Sequence, residues 1–238
     1  MHCLLVVFFS LALLAWPSFG LAQTPEQAVP ITTEPEHKIR FDNGKVRMYE
    51  LRLAKGQATL MHEHRADSFS VMFRDTEITV ELLGGAATSS AFSAGRVGFA
   101  STAKGPYSHR LVASEGTDFH VIAMELMAPA PASAVSLVPR AGSAFELVLD
   151  NSRGRAYGIR LAPGESTGIF RRTGSTALFA ISGGRIAETV QGAGIRLWDF
   201  ETGHFRWTDT AETLNLTTAG STPLHVVEIE IHPCAAIN

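Results

Sequence analysis

Two histidines, His62 and His64, stand two residues apart in GQATLMHEHRAD, residues 56–67, with carboxylates beside them at Glu63 and Asp67. Side chains at i and i+2 of a strand leave the same face. A strand over TLMHEH therefore presents both imidazoles on one side and turns Glu63 to the other. Neutral imidazoles paired in this way suit a divalent transition metal such as Fe, Mn, Ni, Cu or Zn. A third ligand has to come from another strand. The next histidine in the chain is His109, in KGPYSHRLV. Asp67 is the nearest carboxylate available to the pair, either as a ligand or as a hydrogen-bond partner to an imidazole N–H. It is also the candidate general base, and Tyr107 is a candidate hydrogen-bonding group for a substrate oxygen.

The elements that carry these residues occur twice. FDNGKVRMYELRLAKGQATLM from Phe41 matches LDNSRGRAYGIRLAPGESTGI from Leu149 without a gap, at an offset of 149 − 41 = 108. Asp42, Asn43, Tyr49, Arg52, Leu53, Ala54, Gly56 and Thr59 recur at Asp150, Asn151, Tyr157, Arg160, Leu161, Ala162, Gly164 and Thr167. Gly95 and Phe99 meet Gly203 and Trp207 at the same offset, and FHVIAMEL from Phe119 meets LHVVEIEI from Leu224 after a three-residue deletion. Such repetition marks two copies of one unit of roughly a hundred residues. VRMYELRL, SFSVMFR, EITVELL and the two late segments are rich in β-branched and aromatic residues, with glycine-containing turns between them and no sustained 3.6-residue period. The fold class expected is all-β, as two small barrels.

At this point the sequence resembles the cupin family. Gly56 followed by five residues and His62-x-His64 fits its first motif, and Gly105-Pro106 before His109 fits its second. The resemblance implies two tandem jelly-roll barrels, over residues 40–127 and 140–238, with a metal on His62, His64 and His109. It also implies a dioxygenase acting on a small enol, catechol or thiol, a Lewis-acid enzyme, or a small-ligand-binding or scaffold barrel without catalysis. Two departures stand out. Cupins place a glutamate where this chain has Ser68 or Phe69, so Asp67 is one position early. In the second unit His62, His64, Asp67 and His109 fall on Phe170, Arg172, Ser175 and Leu214, so that unit is read as a degenerate partner. His120 and His225, at matching repeat positions, are read as structural, His204 as a surface-loop residue, and Arg171-Arg172 as a solvated pair.

The ends add context. Residues 4–16, LLVVFFSLALLAW, are uncharged, apolar and shorter than a membrane span, and small residues follow at Gly20 and Ala22. Residues 1–22 are expected to be a signal peptide cleaved near Ala22, which places the protein in the periplasm or outside the cell, without a stable membrane anchor. A net charge of −3 gives no electrostatic basis for binding nucleic acid. Of two cysteines, only Cys234 would remain, so no internal disulfide is expected. Residues 23–39 read as an extended or mobile lead-in, and residues 128–139, containing APAPASA, as a stiff linker. Small-molecule ligands and a homodimer formed through exposed strand edges complete the expected partners.

Overall fold

A computed structural model describes residues 27–129 and 139–232. The expected signal peptide and most of the expected linker lie outside the described residues. Within them the regular structure is strand, apart from a single 3₁₀ turn at Ile31–Thr33. The first unit contains β1 (Val29–Pro30), β2 (His37–Asp42), β3 (Val46–Leu53), β4 (His62–His64), β5 (Ser68–Met72), β6 (Thr76–Leu82), β7 (Ala87–Phe92), β8 (Val97–Ala100), β9 (Tyr107–Ala113) and β10 (Phe119–Leu126). The second contains β11 (Phe145–Asp150), β12 (Gly154–Leu161), β13 (Phe170–Arg172), β14 (Thr176–Ala180), β15 (Gly184–Val190), β16 (Gly194–Phe200), β17 (Phe205–Thr208), β18 (Glu212–Thr218) and β19 (Leu224–Ile231).

Each unit is a pair of sheets. In the first, the order β1-β4-β9-β6-β7 faces β2-β3-β10-β5-β8; in the second, β13-β18-β15-β16 faces β11-β12-β19-β14-β17. The duplicated turn residues explain why the repeat stays legible. Asn43 Oδ1 accepts from the N–H groups of Lys45 and Val46, and Asn151 Oδ1 does the same for Arg153 and Gly154. Arg47 reaches back to Asp42, and Arg155 to Asp150. These side chains close the hairpins that start each barrel, because an Asx side chain can satisfy backbone donors that a tight turn leaves unpaired.

The lead-in is more structured than expected. β1 pairs in parallel with β4, and β2 joins the sheet of β3, so residues 29–39 are part of the first barrel. Pro30 ends β1 opposite Glu63, and Pro35 sits in the turn before β2, positions at strand ends where proline is tolerated.

Period-two alternation sorts the side chains. On β3, β5 and β10, residues Met48, Phe69, Val71, Ile122 and Met124 point out of the first barrel, and they pack with Ala156, Ala177, Phe179, Val227 and Ile229 of the second. The largest of these are 0–1 % exposed, so the two barrels share one apolar core. Leu51, Leu53, Ile78, Phe119 and Val121 point the other way and line the first barrel's interior. His120 and His225 behave as expected of structural residues, and they do so reciprocally. A β-carbon on Gly95 would sit 2.6 Å from His225 Cε1, and one on Gly203 2.6 Å from His120 Cε1. Each barrel's histidine thus covers a bare glycine of the other. Both glycines have positive φ, 86° and 89°, which a side chain would also strain.

Candidate metal centre

β4 is short, and its burial pattern is that of a strand with one buried face: His62 and His64 are 0 % and 4 % exposed, while Glu63 turns outward to Arg65. β9 lies antiparallel to it, with His62 opposite His109 and His64 opposite Tyr107. Directly opposed residues bring their side chains onto one face. The ligand nitrogens of His62, His64 and His109 consequently lie within 4.8 Å of one another. His64 Nε2 and His109 Nε2 are 3.2 Å apart.

Hydrogen bonding orients the rings. His62 Nδ1 donates to Leu60 O at 2.9 Å, and its buried Nε2 has no protein partner. His64 turns Nδ1 toward Glu125 Oε1, 3.6 Å away behind the ring, and Nε2 toward His109. Burial pushes His62 down to about 4. Burial, then the neighbouring His64 and His62, push His109 down to about 2. Both rings are neutral at neutral pH and hold lone pairs available for a cation. An orphaned buried nitrogen beside two converging imidazoles is a donor set that fits a divalent metal, with a backbone carbonyl fixing the His62 ring from behind and the Glu125 carboxylate 3.6 Å from His64.

Tyr107 lines the cavity beside the histidines. Its ring stacks on His64 at 4.9 Å and meets His109 edge-on at 5.5 Å. Burial raises its pKa, and a hydrogen bond with Ser68 opposes the rise. Asp67 is a correction. It does not join the three histidines. Its Oδ1 accepts from Thr102 N and Oγ1 at 2.7 and 3.2 Å, and its Oδ2 pairs with Arg153 of the second barrel at 3.1 Å. The reason is parity: Ser68 and Ser70 face the barrel interior, so Asp67, one residue earlier, faces away from it. The interior position at which a carboxylate was expected belongs to Ser68.

Three groups near the centre went unrecognised in the sequence. Glu125, 3 % exposed, stands behind His64. His37 on β2 is buried, with its ring centroid 4.5 Å from that of His62 and 6.4 Å from that of His64. Glu34, 2 % exposed, receives His37 Nδ1 at 2.6 Å and the N–H groups of Glu36, His37 and Leu60 at 3.0 Å each. Burial alone would raise the Glu34 carboxyl; the His37 ring and the Leu60 N–H outweigh it and hold it near 2.

The interior next to these groups is a cavity of about 230 Å³. His37, His64, Tyr107 and His109 line it at one side, and Leu51, Met72, Ile78, Phe92, Leu111 and Phe119 supply most of the rest. It is an apolar chamber with one polar corner, the usual composition of a small-ligand site.

The second barrel has the same frame and different contents. Phe170 pairs with Leu214 where His62 pairs with His109, and Arg172 pairs with Glu212 where His64 pairs with Tyr107. The expectation of a solvated arginine pair holds for Arg171 only. Arg172 is 1 % exposed. It donates Nε and Nη2 to Glu228 Oε2 at 3.0 and 2.5 Å and Nη1 to Glu188 Oε1 at 3.1 Å. Arg140 pairs with Glu228 at 2.7 Å, and Arg206 and Trp198 Nε1 reach Glu188. A guanidinium ringed by carboxylates occupies the position equivalent to the histidine cluster.

No family model matches the chain, and no curated protein matches it. Solved structures share its architecture. AerE from Microcystis aeruginosa superimposes with a TM-score of 0.60 at 10 % identity, covering 84 % of this chain and 99 % of that one. A point mutant of oxalate decarboxylase from Bacillus subtilis gives 0.55 at 12 % identity, covering 84 % and 76 %. A second structure of that decarboxylase, from work on its Mn(II) centres, gives 0.54 at 13 % identity, covering 78 % and 68 %. Identities this low speak to fold and not to activity. The chain therefore has the cupin fold, built as a bicupin of two tandem barrels, and its first barrel carries a three-histidine cluster consistent with a metal site.

Proposed function

We propose that this chain is an exported bicupin that holds a divalent metal on His62, His64 and His109 and acts on a small organic molecule in the cavity of its first barrel. The observation that carries the reading is the convergence of three imidazole nitrogens within 4.8 Å, one of them buried without a protein partner. A bound metal supplies a Lewis-acidic centre with positions left open for a ligand. The chain's own residues do the rest. Leu60 O fixes the His62 imidazole and the Tyr107 ring stacks on that of His64, so both rings are oriented before the cation arrives. The apolar wall excludes water from whatever occupies the cavity, and Tyr107 packs its ring against two ligands at the polar corner.

The Mn(II) centres of the Bacillus decarboxylase support a metal in a barrel of this kind. Three imidazole nitrogens accept Fe, Mn, Ni, Cu or Zn, and the usual affinity order favours copper and zinc for a protein that loads outside the cytoplasm. The apolar run at residues 4–16 supports export. Of the reactions open to such a centre, a dioxygenase-like conversion of an enol, catechol or thiol fits the small apolar cavity. Metal analysis of the protein from its own compartment, combined with oxygen uptake across a panel of those substrates, tests the reading. Bound metal near one per chain and uptake on at least one substrate are expected. A chain that neither carries nor takes up metal sinks it. The removal of Asp67 from the centre also removes the base named from the sequence, which favours a second reading, a metal-bearing binder without turnover; a loaded protein inert to the whole panel selects it.

A further inference from the structure

We infer that His37, clamped by Glu34, is the ligand-orienting residue of the first barrel: its Nε2 accepts a hydrogen bond from an O–H or N–H group adjacent to the metal-binding oxygen of a small chelating ligand. This assignment rests on the metal reading above and adds a ligand class to it.

Glu34 Oε2 already accepts two backbone N–H groups, those of Glu36 and His37, so it meets the ring as an acceptor. The ring nitrogen 2.6 Å from it, Nδ1, must then be the donor. With Nδ1 committed to Glu34, Nε2 is the ring nitrogen left to meet a ligand. Among the described residues no hydrogen bond reaches that nitrogen, and the ring is part of the cavity wall. Tyr49 meets the ring edge-on at 6.0 Å and His62 lies against it at 4.5 Å, so the ring is held in place by aromatic neighbours as well as by Glu34. Glu34 also ties this arrangement to the metal strand, because it accepts Leu60 N while Leu60 O accepts His62 Nδ1. One carboxylate therefore sets the position of His37 and, through a single residue, the strand that carries His62. The rest of the wall is largely apolar, so His37 is one of a few polar side chains there to fix a ligand's direction. Barrel two supplies the contrast: among the described residues its first strand, β11, has no equivalent of β1 before it, and a salt-bridge network fills its interior.

The test uses the whole chain loaded with Co(II), whose visible spectrum reports ligand entry. The probes are acetohydroxamate and N-methylacetohydroxamate, which chelate through the same two oxygens and differ by one N–H donor. The wild-type protein is expected to prefer the N–H probe by roughly three- to tenfold, the effect of one net hydrogen bond. His37→Asn keeps an amide N–H near the position of Nδ1 for Glu34 and deletes Nε2. It should retain one Co(II) per chain and lose the preference. His37→Phe, which keeps the ring shape, repeats the measurement should the first variant fold poorly. A loaded His37→Asn or His37→Phe protein with the wild-type preference overturns the assignment of His37 alone, as does a wild-type protein with no preference. A wild-type protein that takes up no Co(II), or loss of Co(II) on replacing His37, overturns the geometry of the centre itself.

Discussion

Replacing Arg172 by Met should destabilise the protein by about 3 kcal/mol, the lower end of the range for removing one partner of a buried ion pair. The figure follows from what surrounds the guanidinium. Arg172, Glu188 and Glu228 are 1 %, 0 % and 0 % exposed, so neither carboxylate can turn to water when the arginine leaves. The lower end applies because each keeps another cation: Glu188 retains Arg206, together with the Trp198 N–H, and Glu228 retains Arg140 at 2.7 Å. Met matches the arginine stem in length, so the loss is chiefly electrostatic and little cavity is opened. For a chain of this size, 3 kcal/mol corresponds to roughly 6–12 °C in Tm. Calorimetry at neutral pH measures it, and metal content measured on the same samples should not change. Adding Glu228→Gln should recover part of the loss, since an amide can stay buried where an unpaired carboxylate cannot. The acid limb gives a second check. Burial alone would raise the Glu228 carboxyl, but Arg140 and Arg172 together hold it near 2. Its contribution is therefore present above the ordinary value of 4.5 and is lost as pH falls toward 2. Without Arg172 the folded-state value moves up, and the loss on acidification is smaller and complete at a higher pH. A cost below about 1 kcal/mol for Arg172→Met would refute the view that this guanidinium holds the second barrel's interior together.

Single replacement of His62, His64 or His109 by Ala should lower metal stoichiometry, whereas Asp67→Ala should leave it unchanged and remove the contacts with Thr102 and Arg153; elemental analysis of the four variants distinguishes ligand from bystander. Glu125→Gln should weaken metal affinity by about ten- to a hundredfold, as loss of a group behind a ligating imidazole does, and competition with a chelator reads it. Burial pushes His225 down to about 4, with Arg160 adding to the effect, and burial with Arg52 lowers His120. An unfolded histidine binds its proton near 6.5, so stability attached to this pair is present above 6.5 and declines as pH falls toward 4; denaturant midpoints across that window should fall, and less steeply in His225→Gln. Gly203→Ala should destabilise by about 2 kcal/mol or more, since it strains a positive φ and meets the His120 ring; a neutral effect by calorimetry would discount the reciprocal clasp.

What the sequence revealed of the centre depended on local periodicity. The His62-x-His64 spacing sets a common face because strands alternate, and the glycine-proline turn before His109 marked the strand that supplies the third ring. Asp67 failed by the same rule: one residue of slip puts a side chain on the opposite face, and the spacing of the acid alone did not state where β5 begins. Glu34 and His37 left no periodic trace. They lie in a proline-containing stretch read as a lead-in, and their partners are distant in the chain, as with Glu34 and Leu60, 26 residues apart. A histidine three residues after a buried glutamate is an ordinary pattern until pairing of β1 with β4 brings it beside the metal strand. The network around Arg172 was hidden for a related reason. Glu188 lies on β15 and Glu228 on β19, and their convergence depends on two separate registers.

The two barrels can be compared as two solutions to one electrostatic requirement. In the first, three imidazoles bring ring nitrogens within 4.8 Å of one another inside a barrel, and such a cluster favours a cation. In the second, the position of His64 carries a cation covalently, and the carboxylates of Glu188 and Glu228 have come inward to meet it, from positions held in the first barrel by Val80 and Ala123. Exchange of His for Arg alone would have left a buried charge unpaired, a cost of several kcal/mol. The acids at 188 and 228 are therefore required by Arg172, and a graft that restores histidines at Phe170, Arg172 and Leu214 without also returning Glu188 and Glu228 to apolar residues should fold poorly. The second barrel thus needs no exchangeable ion to keep its interior ordered, and its outer sheet stays available to bury the apolar face of the sheet behind the histidine centre. Because Phe69 and Met124 of that sheet sit against Ala156, Phe179 and Ile229, damage to the ionic interior of barrel two should transmit to barrel one as lost stability before it appears as lost metal.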